Sequence, residues 1–338
     1  MKGRYRLALG GLAVAFPLAL LVGSAVGAYS IPLVSIPGLL LGGGEGAEIL
    51  TVIRIPRVLL AAVVGASLAL GGAVLQGIFR NPLADPGLIG VSAGATLGAA
   101  LWIVLAGALV PGLLWLGMWG PALAAFGGAL VATGVVWRVA LRRGRVSTAT
   151  LLLAGVALNS LAGAALGFLL FLADDQQLRT LTFWTLGGLG GATWTSLGVT
   201  APLVLLGLLP LLSLSRSLNA LLLGEGDAYH LGVPVERVKR VAVVGVSLSV
   251  GASVAAAGGI GFLGLVVPHL FRLLAGPDHR FLLPGSALLG ALLLVMADLF
   301  ARTVATPAEL PVGVVTALMG GPFFLWLLIR QGSEVAYA

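Results

Sequence analysis

The chain reads as a succession of long apolar runs separated by short polar breaks. At 1.5 Å per residue, about 20 apolar residues cross a hydrocarbon core of about 30 Å. Ten runs are taken as spans: 8–28, 58–78, 88–109, Pro121–Val139, Leu151–Leu172, Leu197–Leu214, Val241–Ala257, Ile260–Leu274, Leu282–Ala301 and Val312–Ile329, the eighth short and broken by glycine. The stretch Arg54–Gly98 organises the rest. Two of the runs are joined there by Arg80-Asn81-Pro82-Leu83-Ala84-Asp85-Pro86-Gly87, with Arg54 and Arg57 at the entrance. It reads as a plunge, a tight cytoplasmic turn and a return. Gly90, Gly94 and Gly98, four apart, put small residues on one helix face, where a neighbouring helix can come close. The opening run after MKGRYR carries a cleavage-like Val26-Gly27-Ala28, yet it exceeds the apolar core of about 7–15 residues of a signal peptide; it is read as a retained first helix.

Composition turns this pattern into a class. Hydrophobic residues make up 59% of the chain, charged residues 9%, and mean hydropathy is +1.10. A soluble domain carries about 25% charged residues. The expectation is an all-α polytopic membrane protein in which residues 1–338 form a single transmembrane domain, with no room for a soluble catalytic one. The net charge of +7 records which loops stay in the cytoplasm rather than an affinity for nucleic acid. With a cytoplasmic N-terminus, only Arg54, Arg57, Arg179 and Arg302 of the 19 basic residues fall outside.

Several chemistries are missing. There is no cysteine, hence no disulfide, thiol nucleophile or cysteine metal site. The only lysines, Lys2 and Lys239, follow no GxxxxG run, so ATP is not bound through a P-loop. No HExxH, no G-x-S-x-G elbow and no ladder of intramembrane acids is present. These absences count against a membrane-embedded enzyme and against a self-powered pump or secondary carrier.

A few polar residues remain as candidates. Asp298, inside a span, forms a local pair with Arg302 four residues on, bonds a neighbouring helix, or takes part in gating. Asn159 is an interhelical hydrogen bond or a pathway residue. His230, His269 and His279 all fall on the cytoplasmic side, leaving no imidazole along the pathway. Glycine clusters such as Gly163/Gly167, Gly187-Gly188, Gly190-Gly191 and Gly258-Gly259 mean either helix packing or broken helices shielded from lipid. The loop Ser215–Arg240 holds two short helices around Gly224 and Gly226-Asp227; it is a plain connection or a docking surface.

Taken together, IRIPRVLLAAVVGASLALGGAVLQGIFRNPLADPGLIGVSAGA, LLLAGVALNSL, GEGDAYHLGV, AGGIGFLGLVVPHLFRLLAGPDHRFLLPGSALLGA and AELPVGVVTALMGGPFFLWLL resemble one family along nearly the whole chain. They are similar to the FecCD/BtuC-like permeases, the membrane subunits of ABC importers for ferric siderophores, haem and cobalamin. The resemblance implies a type II importer permease fold with ten transmembrane helices per subunit and a homodimer with the pathway at its interface. It also implies two ATP-binding cassette subunits holding ATP and Mg, a periplasmic binding protein, and a place in the bacterial inner membrane.

It further implies residue roles. Gly224, Glu225, Gly226, Asp227, His230, Leu231 and Gly232 match the segment that docks on the ATPase. Arg54, Arg57 and Arg302 match positions facing acidic residues of the docked binding protein, where guanidinium forks suit carboxylates. Asn81, Leu83, Ser147 and Thr148 match the cytoplasmic gate. The stretch Asp174–Gly191 resembles the haem permeases most closely. There Arg179, Phe183 and Trp184 meet a propionate and a porphyrin face, or serve as an interfacial anchor. The expected cargo is haem first, a ferric siderophore second and cobalamin third.

Overall fold

The computed structural model describes residues 2–117 and 119–335, and these form an almost entirely helical bundle. Helix α1 is Lys2–Ala25, and the short α2, Ile36–Gly42, lies in the loop after it. A π-helical turn, Ile49–Arg54, then runs directly into α3, Ile55–Phe79. The segment expected as loop up to residue 53 is therefore helical from Ile49. Arg54 stands at the junction of the two helix types, a local register change of the kind often found where side chains must be re-aimed.

Helices α4 (Val91–Leu109) and α5 (Trp119–Ala140) lead to a two-residue-stranded hairpin, β1 (Leu141–Arg142) and β2 (Arg145–Val146). Arg143 and Gly144 between the strands both have positive φ, the geometry that closes a two-residue hairpin. Then come α6 (Thr148–Leu172), α7 (Asp175–Leu186), α8 (Trp194–Ser213), α9 (Ser215–Leu221), α10 (Glu225–His230) and α11 (Val235–Ala257). The chain closes with α12 (Leu263–Ala275), α13 (His279–Thr303) and α14 (Val312–Val335).

Eight of the helices are long and apolar enough to cross a membrane among the described residues. The expected eighth span differs. Only Leu263–Ala275, 13 residues, is helical, which at 1.5 Å per residue reaches about 20 Å. The residues before it, Gly258–Phe262, are irregular, and Phe262 takes a left-handed φ of 68°. Such backbone survives at membrane depth because it is packed against protein: a Cβ on Gly258 would sit 2.2 Å from the Trp184 carbonyl oxygen. The expected tenth span begins at Val312 as read.

The core is organised around α3. It is buried on nearly every side, packed between α8, α11, α12 and α13. Lipid tails offer no hydrophobic contrast, so close backbone approach through small residues supplies the association. Gly65 of α3 and Gly290 of α13 back onto each other, each with a Cβ position about 2.3–2.4 Å from the other's carbonyl oxygen. Gly94 of α4 and Gly128 of α5 do the same. Gly90, grouped with Gly94 and Gly98 by spacing, belongs instead to the turn before α4, with φ of 83°. In contrast, α1 and α6 expose most of their surface, and positions 163 and 167 of α6 face open space.

Candidate functional site

Two polar clusters stand out in a chain with so few charges, one at each end of the bundle. At the end where α1 finishes and α3 starts, three guanidinium groups converge. Arg57 grips Asp298 through Nε (3.0 and 3.1 Å) and Nη2 (2.9 Å), and its Nη1 donates to Glu309 at 3.0 Å. Arg54 donates to the carbonyl oxygens of Ser24 (3.1 Å), Ala25 (2.6 Å) and Tyr29. Arg302 donates to the Gly23 carbonyl. The last carbonyls of a helix have no intrahelical partner and carry partial negative charge, so two arginines cap α1 from outside its own sequence.

Arg54, Arg57 and Arg302, matched by resemblance to docking positions, thus lie together at one end of the bundle. They are 4%, 6% and 7% exposed, and each makes at least one hydrogen bond within the chain. A guanidinium at membrane depth is held by pairing with carboxylates or backbone carbonyls, and both kinds of partner are used here. Both partners expected of Asp298 are present: it bonds Arg57 from the facing helix and forms a looser ion pair at 3.8 Å with Arg302, which also reaches α1.

Beside this cluster lies a cavity of about 470 Å³ walled by Phe183, Trp184, Thr180, the glycine run 187–191, Arg57 and Glu309. Helix α7 places Phe183 60% exposed and Trp184 half-buried; an Asp174–Gln177 capping box starts that helix. Arg179, on the same helix, is exposed and lies outside the cavity wall. The structure therefore joins Phe183 and Trp184 to Arg57 and Glu309, and leaves Arg179 apart. Glu309 went unnoticed in the sequence because nothing local marks it; its partner is 252 positions away.

At the opposite, basic end, the gate and docking candidates meet. Ser147 caps α6, its Oγ accepting from Thr150 N at 3.2 Å. Thr148 Oγ1 donates to Glu225 Oε1 at 2.8 Å. Lys239, 2% exposed, donates to Glu225 Oε2 (2.8 Å) and to the Val146 carbonyl (2.8 Å), with Glu236 3.9 Å away. Val146 N donates in turn to Glu236 at 2.9 Å. Burial would raise the Glu225 carboxyl, but hydrogen bonds from Lys239 and Thr148, with the charges of Lys239 and Arg80, hold it below the usual range. Glu225 is thus turned inward, whereas Tyr229, His230 and Leu231 are exposed and Asp227 stays at the surface.

The 80–90 turn closes against the same end. Arg80 ends α3 in a left-handed conformation, and Asn81 Oδ1 accepts from Leu83 N at 2.9 Å. Burial pushes the Asp85 carboxyl up, and a hydrogen bond from Gly87 N partly offsets this. Asn159 Nδ2 donates to the Gly87 carbonyl at 3.0 Å, the interhelical bond expected of it. Gln76, missed in the sequence, holds the turn from below, donating to the Ala84 and Gly264 carbonyls at 3.2 Å while accepting from Arg272. Lys239 was visible as one of two lysines, spaced three from Glu236, but nothing local pointed to Val146 or Glu225. Among the described residues no cluster of His, Cys, Asp or Glu could hold a metal ion.

Comparison with known proteins places this arrangement. Residues 12–330 match the FecCD transport family. The chain is 48% identical over 276 residues to the hemin transport system permease protein HmuU of Yersinia pestis, covering 80% of each chain. It is 49% identical over 265 residues to the cobalamin import system permease protein BtuC of Halobacterium salinarum, covering 78% of this chain and 69% of the relative. A solved inward-facing structure of a metal-chelate type ABC transporter superposes with a TM-score of 0.82 at 32% identity, over 96% of this chain and 99% of that one.

Proposed function

The chain belongs to the FecCD transport family as an ABC importer permease, and from that premise we propose that it carries haem across the bacterial inner membrane by alternating access. Two copies form the pathway, two separate ATPase subunits with ATP and Mg supply the energy, and a periplasmic binding protein delivers the cargo. The basic end faces the cytoplasm, in keeping with the distribution of arginine and lysine. The exposed Tyr229 and Leu231 on the α10 side are the surface on which an ATPase docks. The bare face of α6, with open space at Gly163 and Gly167, receives the second copy.

The observation that carries haem is the aromatic mouth. Phe183 and Trp184 offer flat faces to a macrocycle, in a wall they share with the Arg57–Glu309 pair. Histidine plays no part there, since His230 and the buried His269 and His279 belong to the basic end. Haem then moves without ligation of its iron by this chain. Cobalamin or a ferric siderophore is the second reading, favoured by the relative named for cobalamin import and by the metal-chelate transporter. Uptake into proteoliposomes bearing the permease, its ATPase and its binding protein separates them. ATP-driven accumulation of haem is the expected result; ATP hydrolysis with accumulation of cobalamin or a ferric siderophore instead would overturn the haem assignment.

A further inference from the structure

The cluster around Lys239 does more than fill a polar gap. Helix α10 packs on α9 and α11, and its link to α6 runs through side chains rather than through helix packing. That link is the Glu225 carboxylate, one oxygen taking Thr148 Oγ1 and the other Lys239 Nζ, each at 2.8 Å. Lys239 reaches past it to the Val146 carbonyl, and Glu236, one turn earlier on α11, takes the Val146 amide. The backbone of Val146 is therefore held by both its donor and its acceptor, two residues before the first residue of α6. Lysine is strongly hydrated, and one left 2% exposed is kept in place only by saturating its three donors or nearly so. Arg80 borders the cluster, its Nη1 3.7 Å from where a Cβ on Gly224 would sit, so the end of α3 abuts it too.

We propose that Lys239 is the positioning residue of a latch that makes α10 and the first turn of α6 move as one body. Displacement of α10 by a docked ATPase reaches Val146–Thr148 directly, through Glu225, without first deforming the membrane-buried helices. Charge-assisted hydrogen bonds in a half-buried setting are short and directional enough to transmit such a push. The inference rests on the importer reading above, in which α10 is the docking element.

The test uses the assembled permease–ATPase complex and two readouts. The chain has no cysteine, so Leu223→Cys, in the turn leading into α10, and Ala149→Cys, in the first turn of α6, both exposed, accept spin labels whose separation reports the entry of α10 against α6. In the parent protein this separation should be narrow and equal in nucleotide-free and ATP-trapped complexes. Lys239→Met should broaden it, and should cut cargo moved per ATP hydrolysed at least tenfold while hydrolysis falls no more than threefold. Lys239→Arg, which still reaches Glu225, should restore most of the coupling, a rescue that a merely structural lysine would not require. If Lys239→Met does not assemble, Thr148→Val removes a single hydrogen bond and should lower the ratio in the same direction. An unchanged separation and an unchanged ratio in whichever variant assembles overturns the latch. A parent complex that hydrolyses ATP but moves no chelate sinks the importer reading instead, and the spin-label separation then decides the latch alone.

Discussion

Arg57 and Asp298 meet through three hydrogen bonds in a setting where neither charge has access to water. Truncating Asp298 leaves the buried Arg57 with only the half-exposed Glu309, and the loss of a buried partner runs to about 3–5 kcal/mol. Asp298→Ala should therefore lower the melting temperature in detergent sharply. Glu309→Ala removes the half-exposed partner of the same arginine and should lose no more than about 1 kcal/mol. Equal shifts for the two variants would show that burial does not govern the pair. Glu225 yields a pH prediction whose sign follows from its lowered pKa. The stabilisation is fully present above the unfolded carboxylate value of about 4.3 and is lost as pH falls through the lower folded value. Asp278, which caps α13 and is held down chiefly by Arg280, behaves the same way. Melting curves between pH 7 and 3 should show Glu225→Gln losing less stability on acidification than the parent.

Between helices, small residues set the distance. A Cβ on Gly72 of α3 would lie 1.9 Å from the Gly264 carbonyl of α12, so Gly72→Ala must push these elements apart, at about 1–3 kcal/mol. Gly163→Ala on α6 meets nothing within 4 Å in the subunit and should change its stability by less than about 0.5 kcal/mol. Thermal scans of both variants check the contrast. The spans themselves were legible in the sequence, because run length and apolarity mark a crossing helix without tertiary information. The Asn159 bond was legible as well, as a polar residue inside a span. What was not legible was long-range. Sequence does not show that the carbonyl end of α1 lies beneath Arg54 and Arg302. The broken eighth span was visible as glycine, yet its true start at Leu263 depends on packing against α7, far away in the chain.

At the scale of the whole molecule, orientation is testable without altering the fold. A lone cysteine at Tyr229, exposed at the basic end, should react with an impermeant maleimide only in inverted vesicles, and one at Glu45 only in right-side-out ones. The reverse pattern would overturn a cytoplasmic basic end. The clamp on α1 also has a meaning for synthesis. Helix α1 is made first; it packs along α13, and its last carbonyls are held by Arg54 from the next crossing and by Arg302 from almost the last. Until Asp298 is translated, Arg57 stands in the nascent chain without the carboxylate that takes its Nε and Nη2 donors. Completion of the polypeptide is thereby recorded as charge neutralisation. A ribosome that stops short of α13 releases a chain bearing a chemical mark of its own incompleteness, which membrane proteases should clear faster than one that stops within α14.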